Sequence, residues 1–204
     1  MKLSQEFYLQ PTLDAAQALL GKYLVRVLDG SPLVCRITET EAYIGAVDKA
    51  CHAYGYRRTK RTEVMFSPGG IAYIYLIYGM YSCLNLVTEA EGEPCAVLLR
   101  GGEVRCGGER IAQNRFARPM DKLTAVQRKN LLNGPGKLCR ALSLTPKQNG
   151  LSLLGDELFV TDSLSDLGQP PWPGDERIPA IRRSKRIGID YAQECADYLW
   201  RFTI

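Results

Sequence analysis

Twenty consecutive residues without a charge, Gly69 to Thr88 (GGIAYIYLIYGMYSCLNLVT), constrain this 204-residue chain more than any other feature. A run of that length is about what a bilayer-spanning helix needs. Its composition argues otherwise. It holds four tyrosines, an asparagine and a central glycine, no basic residue flanks it closely, and its pattern alternates with period two. That pattern predicts buried strands at about 71–77 and 82–88, joined by a tight turn at Gly79, and no membrane association. Tyr73 and Tyr75 then share a strand face and could wall a flat apolar pocket. Tyr78, Met80 and Tyr81 fall at or near the hairpin tip. Bulky apolar side chains there are costly unless something covers them, and such side chains are the ones that wedge between base steps in nucleic acids. A tyrosine-rich core hairpin explains the same run.

The segments around it give an α+β pattern in a single domain, 1–204. A helix is expected from Thr12 as cap, with Leu13, Ala16, Leu19 and Leu20 on one face and Gly21 as its stop. The strand Tyr23–Leu28, the turn Asp29-Gly30-Ser31-Pro32 and a strand from Leu33 to Ile44 read as a hairpin. Residues 45–70 are loop-rich. Another strand spans Ala96 to Arg100, after which Gly101-Gly102 mark a change to helix and charge. A last strand, Glu157 to Thr161, precedes an irregular acidic loop. The expected architecture is a curved, mainly antiparallel sheet with packed helices and a protruding hairpin.

Residue counts exclude several chemistries. The single histidine, His52, cannot supply a multi-histidine metal site, and no metal or cofactor is expected. The seven cysteines are odd in number and widely spread, with no C-x-x-C. With no signal peptide ahead of them, they read as reduced thiols of an intracellular protein, cytoplasmic or nuclear. Lys and Arg total 26 against 22 Asp and Glu, a net of +4. That small number hides segregation: ten basic and three acidic residues lie in 101–150, with further basic clusters at 57–61 and 182–186, and six acids and no base in 151–176. The basic segments could converge on one face for a polyanion, or be ordinary solvated surface.

Three motifs could carry chemistry. In Cys35 to Ile44 a strand would put Ile37, Glu39, Glu41 and Tyr43 on one face, with the carboxylates about 7 Å apart. Crowding there raises one pKa, as suits a general base for water; a solvent-facing acidic strand fits as well. Asn85 and Arg100 are polar exceptions in apolar strands and point to a polar site or an edge. Asn133-Gly134-Pro135-Gly136-Lys137 lacks the spacing of a P-loop. It is a turn into a helix whose N–H groups and Lys137 could hold one phosphate.

In order, RITETEAYIG, Asp48-Lys49-Ala50-Cys51-His52, MFSPGGIAYIYLIYGMYSCLN, CAVLLR, NGPGKLCRAL and RIGI resemble the alkyladenine (3-methyladenine) DNA glycosylase family, from about Leu3 to Phe202. The resemblance implies an enzyme that flips alkylated or deaminated purines out of double-stranded DNA. It would hydrolyse the N-glycosidic bond to leave an abasic site, as a monomer and with no lyase step. It further implies Glu41 as the general base and Arg100 near the water and the target phosphate. Tyr43, His52 and Tyr75 would form the base pocket, with Asn85 gating it against the exocyclic amine of guanine. Tyr78 would be the intercalating wedge, flanked by Met80 and Tyr81, and Arg61 and Lys137 would contact the DNA backbone. The family's T-P-R-N before M-F reads Thr59-Lys60-Arg61-Thr62 here, so Arg61 is kept and the proline and asparagine are not. Two other classes fit the same residues: a DNA-binding module that bends or flips without cleaving, and a hydrolase of free nucleosides.

Overall fold

The computed structural model describes residues 1–204. Eight strands form one curled antiparallel sheet in the order β3-β4-β5-β2-β1-β6, with β8 pairing both β2 and β7. The strands are β1 (Tyr23–Leu28), β2 (Ser31–Ile44), β3 (Ala72–Ile77), β4 (Tyr81–Thr88), β5 (Cys95–Cys106), β6 (Leu158–Thr161), β7 (Arg182–Ser184) and β8 (Arg201–Thr203). The helices are short: α1 (Gln5–Leu9), α2 (Thr12–Ala18), α3 (Gly108–Phe116), α4 (Ala125–Lys129) and α5 (Pro135–Ala141). No helix is long and apolar enough to cross a membrane, and the uncharged run forms β3 and β4. The β1–β2 turn is Asp29-Gly30 with both residues at positive φ, the two-residue geometry whose twist matches its strands.

Helix α2 packs Ala15 and Ala16 on the sheet, and Thr40 donates its hydroxyl to the Ala16 carbonyl at 2.8 Å. Thr12 is the first helical residue, not the cap. Its backbone N–H and hydroxyl both donate to the Glu89 carboxylate, tying α2 to the end of β4.

The helix-side face of β2 carries Cys35 and Ile37, then Thr40 and Ala42. Ile37 and Thr40 are three positions apart, an odd spacing that a regular strand does not allow on one face. The register shows why: Ile37 pairs with Gly102, Glu39 with Gly101 and Thr40 with Leu99, leaving Thr38 and Arg100 as extra residues in their strands. This paired irregularity corrects two expectations. Ile37 does not share a face with Glu41; without the irregularity, strict alternation would drive Glu39, Glu41 and Tyr43 into the apolar core. The strand also does not end at the double glycine but continues to Cys106. Gly102 sits where a Cβ would lie 2.8 Å from the Arg36 carbonyl, so glycine there is a close-approach requirement.

Some of the expected basic residues are engaged by the protein itself. Arg115 donates to the Leu131 and Asn130 carbonyls and Arg128 to those of Leu123 and Asp121. Arg105 and Arg36 converge on Asp175, which with Trp172 over Arg105 docks the acidic loop on the sheet. Arg186 is wholly buried. Arg110, Arg118, Lys122, Arg128, Lys129, Arg140 and Lys147 are exposed.

Candidate active site

A pocket of about 240 Å³ opens on the sheet face turned away from α2. Cross-strand pairing builds its floor: Tyr73 on β3 pairs with Asn85 on β4, Asn85 with Leu98 on β5, and Leu98 with Glu41 on β2. Paired residues share a face, so the two compensating insertions put Glu41 at the end of a row that otherwise lines the cavity.

The Glu41 carboxylate has no solvent-exposed surface. Its Oε1 accepts the Ile187 backbone N–H at 2.9 Å, and Oε2 accepts the Tyr43 hydroxyl at 2.8 Å. The Arg100 guanidinium lies 3.4 Å from each oxygen and 3.2 Å from Glu39, which Arg201 holds at 2.6 Å. Burial pushes the Glu41 carboxyl above the ordinary carboxylate range, against the opposing pull of Arg100, the Ile187 N–H and Tyr43. A dry carboxylate with a raised pKa, whose longest contacts are the two to Arg100 at 3.4 Å, is suited to take a proton from water.

Tyr43 stands between the cavity and a buried ion pair. Arg186 places its guanidinium 4.7 Å from the Tyr43 ring centre and 5.0 Å from that of Trp200. The same guanidinium grips Asp48 at 2.5 and 2.8 Å with both side chains fully buried, and donates to the Ala42 and Cys195 carbonyls. Asp48 in turn accepts from the Ala50 N–H at 3.0 Å. The pair therefore fixes the stack behind Tyr43 and, through the next residue, the N–H that holds Glu41. RIGI contributes Ile187, Gly188 and Ile189 to the wall. Sequence reasoning placed Arg186 in a surface basic cluster and gave this segment no role; 138 residues separate Asp48 from Arg186, and no local signal joins them.

His52 and Tyr75 meet edge to face with ring centres 4.5 Å apart, and His52 Nδ1 lies 2.9 Å from the Tyr73 hydroxyl. Arg61, expected as a DNA-backbone contact, lines the pocket with its guanidinium 5.0 Å from the Tyr75 ring. Asn85 is buried and donates from Nδ2 to the carbonyls of Tyr73, at 3.2 Å, and Cys83, at 3.5 Å. Lys137 donates to Asn130 Oδ1 at 2.9 Å and to Asn133 Oδ1 at 2.8 Å, so its ammonium braces the turn before α5. The first turn of α5 supports the hairpin: a Cβ on Gly136 would lie 3.0 Å from Tyr81.

The β3–β4 hairpin borders the mouth of the pocket. Tyr78 and Gly79 both have positive φ, and the Met80 N–H closes the turn on the Ile77 carbonyl at 3.2 Å. Tyr78 is 82% exposed, Met80 68% and Tyr81 47%. The tip therefore holds large side chains out in solvent, with a tyrosine in a backbone conformation that suits asparagine or glycine.

The fold thus joins a half-open antiparallel sheet, a dry carboxylate at the end of an aromatic pocket and an exposed aromatic hairpin. The family model of methylpurine-DNA glycosylase (MPG) matches residues 6–204, and the chain belongs to that family. Among its relatives, one from Alkaliphilus oremlandii is 46% identical over all of this chain and 96% of its own length. One from Desulfitobacterium hafniense is 46% identical over 98% of this chain and 94% of its own. One from Clostridioides difficile is 43% identical over 99% and 100%. All three are provisionally named as 3-methyladenine DNA glycosylases.

Proposed function

We infer that the protein excises methylated purines, 3-methyladenine among them, from double-stranded DNA by hydrolysing the N-glycosidic bond. The observation that carries this reading is the Glu41 carboxylate, sealed from bulk solvent at the end of the pocket row and held by Arg100, Tyr43 and the Ile187 N–H. A purine cannot be attacked inside the stack, so it leaves the duplex first, at a cost of a few kcal/mol. Tyr78 fills the gap, with Met80 and Tyr81 beside it. The flipped base lies among Tyr43, Tyr75 and His52, with Asn85 limiting what fits at the floor. Glu41 takes the proton of the attacking water and stabilises the oxocarbenium-like sugar as the bond breaks. Arg100 holds Glu41 and faces the target phosphate.

Arg61 and Arg100 are the only cations in the pocket wall, and no lysine lines it. No amine is in place for a Schiff base, which supports a hydrolysis ending at an abasic site. Deaminated purines, also flat and stackable, belong to the same proposal. The test is incubation with duplexes bearing one defined lesion each, followed by alkaline cleavage. Cleavage at 3-methyladenine that requires alkali supports the reading. Strand scission without alkali overturns the monofunctional part, and no cleavage at any methylated purine overturns the whole.

A further inference from the structure

One corner of the pocket has a hydrogen-bond polarity that its chemistry dictates. Arg61 Nη2 lies 3.4 Å from His52 Nε2. A guanidinium has five N–H donors and no acceptor. Facing it, His52 Nε2 is best matched as the ring's lone-pair nitrogen. Burial and the Arg61 charge push the His52 pKa down to about 4, so the ring is neutral near pH 7. Its one proton then resides on Nδ1, which lies 2.9 Å from the Tyr73 hydroxyl oxygen. The Nδ1–H donates and the phenol oxygen accepts. The reverse order, Tyr73 donating to Nδ1, would put an Nε2–H against the guanidinium, donor against donor.

The consequence falls on Tyr73. Both of its polar neighbours, His52 and Arg61, are donors. Its own hydrogen has no acceptor within the protein, yet the residue is only 2% exposed and its ring lines the cavity. A buried hydroxyl with an unspent donor costs free energy until something accepts it. We propose that Tyr73 is a specificity-determining residue: its O–H donates a hydrogen bond to a lone-pair ring atom of the bound purine, selecting bases that present an acceptor at that edge. Arg61 and His52 act as positioning residues that set the direction of this bond. The inference rests on the reading of the pocket as a base-excision site and adds to it a recognition rule that stacking cannot supply, since every purine offers a flat face.

Substitution on both sides of the bond tests it. Wild type and Tyr73→Phe are titrated with duplexes carrying 2′-deoxynebularine, whose unsubstituted purine has N1, N3 and N7 as its free acceptors. The same titration is run with its 1-, 3- and 7-deaza analogues, and 3-methyladenine excision by the wild type is measured in parallel. The expected result is that wild type loses about tenfold in affinity for one of the three analogues, the size of one neutral hydrogen bond. The Phe variant binds all four within twofold of one another. Excision of 3-methyladenine without a deaza preference, or a preference that survives in Tyr73→Phe, overturns the role of Tyr73 and leaves the proposed activity standing. No excision of 3-methyladenine overturns the activity and, with it, the inference. Should Tyr73→Phe melt far below wild type, both proteins are titrated below the variant's melting range, and the same comparison decides.

Discussion

Tyr78→Asn separates stability from function at the hairpin tip. Tyr78 has φ +53 and Gly79 φ +69, so the substitution creates Asn-Gly, the sequence that two positive-φ turn residues favour most. Holding an L-residue in the left-handed region costs roughly 1–2 kcal/mol, and asparagine bears less of it. The ring is 82% exposed, so about a fifth of its surface, on the order of 40 Å², is in contact; losing that costs about 1 kcal/mol. The two effects nearly cancel. A buried tyrosine would instead lose roughly 3–5 kcal/mol. For a chain of this size, 1 kcal/mol moves Tm by about 2–4 °C, so Tyr78→Asn should melt within a few degrees of wild type, where a core position would fall by about 10 °C or more. Function should not follow stability. If the ring recovers even about 1.4 kcal/mol of the few that unstacking costs, its loss slows single-turnover excision of paired lesions about tenfold. Lesions opposite a mismatch, already half unstacked, should lose less. Thermal melting alongside excision on paired and mismatched lesions reads both. A large drop in Tm, or excision of paired lesions at the wild-type rate, would refute the reasoning.

Three further outcomes follow from the site. Asp48→Ala leaves Arg186 charged and unpaired in a dry position, which costs roughly 3–5 kcal/mol; adding Arg186→Met should restore part of the lost Tm, and a double variant no better than the single would argue against a coupled pair. His52 titrates near 4 in the fold against 6.5 for the free side chain, so the unfolded chain binds more protons between these values. The His52 contribution is whole above about pH 6.5 and is lost as pH falls toward 4; His52→Gln should flatten that part of a Tm-against-pH curve, and an unchanged slope would show that His52 is not buried neutral. Non-specific DNA affinity should fall with salt less steeply than ten phosphate contacts would give, because Arg105 is paired with Asp175 and Arg115 caps the Leu131 and Asn130 carbonyls; a slope near −9 in log K against log salt would put those side chains on DNA.

What the sequence carried and what it hid differ by range. Period-two alternation and turn residues placed β1, β2, β3 and β4 within a residue or two, because strand pairing at hairpins is a local matter. The insertions at Thr38 and Arg100 left no such trace: one extra residue in each strand cancels in the register, and only the side-chain faces show the change. Gly101-Gly102 read as an end to the strand because glycine weakens strands, yet Gly102 is there because the Arg36 carbonyl passes too close for a side chain. The strand pattern offered a carboxylate base and a polar site at Asn85, the resemblance singled out Glu41 and gave Tyr43 and Asn85 their roles, and the pocket row sets the three on a common face. The Asp48–Arg186 pair, the Ile187 N–H on Glu41 and the donor chain from Arg61 to Tyr73 join distant segments. Charge runs are equally silent on such pairs: nothing near Arg105 or Arg186 in the sequence names Asp175 or Asp48 as its partner.

The pKa of Glu41 offers the most direct test of the account, in which a buried carboxylate is the base of a DNA glycosylase. A carboxyl raised by burial is more stable neutral in the fold, so Glu41→Gln should not lower Tm at pH 7, and wild type should gain on the variant as pH falls through the raised pKa. Excision needs the ionised form, so the wild-type rate should fall on the acid side with a midpoint above the ordinary carboxylate range. The decisive measurement is single-turnover excision of 3-methyladenine from duplex DNA by wild type, Glu41→Gln and the control Glu39→Gln. The account predicts that Glu41→Gln keeps lesion binding and excises roughly 10²–10⁴-fold more slowly, with Glu39→Gln much less affected. Excision by Glu41→Gln within threefold of wild type would contradict it.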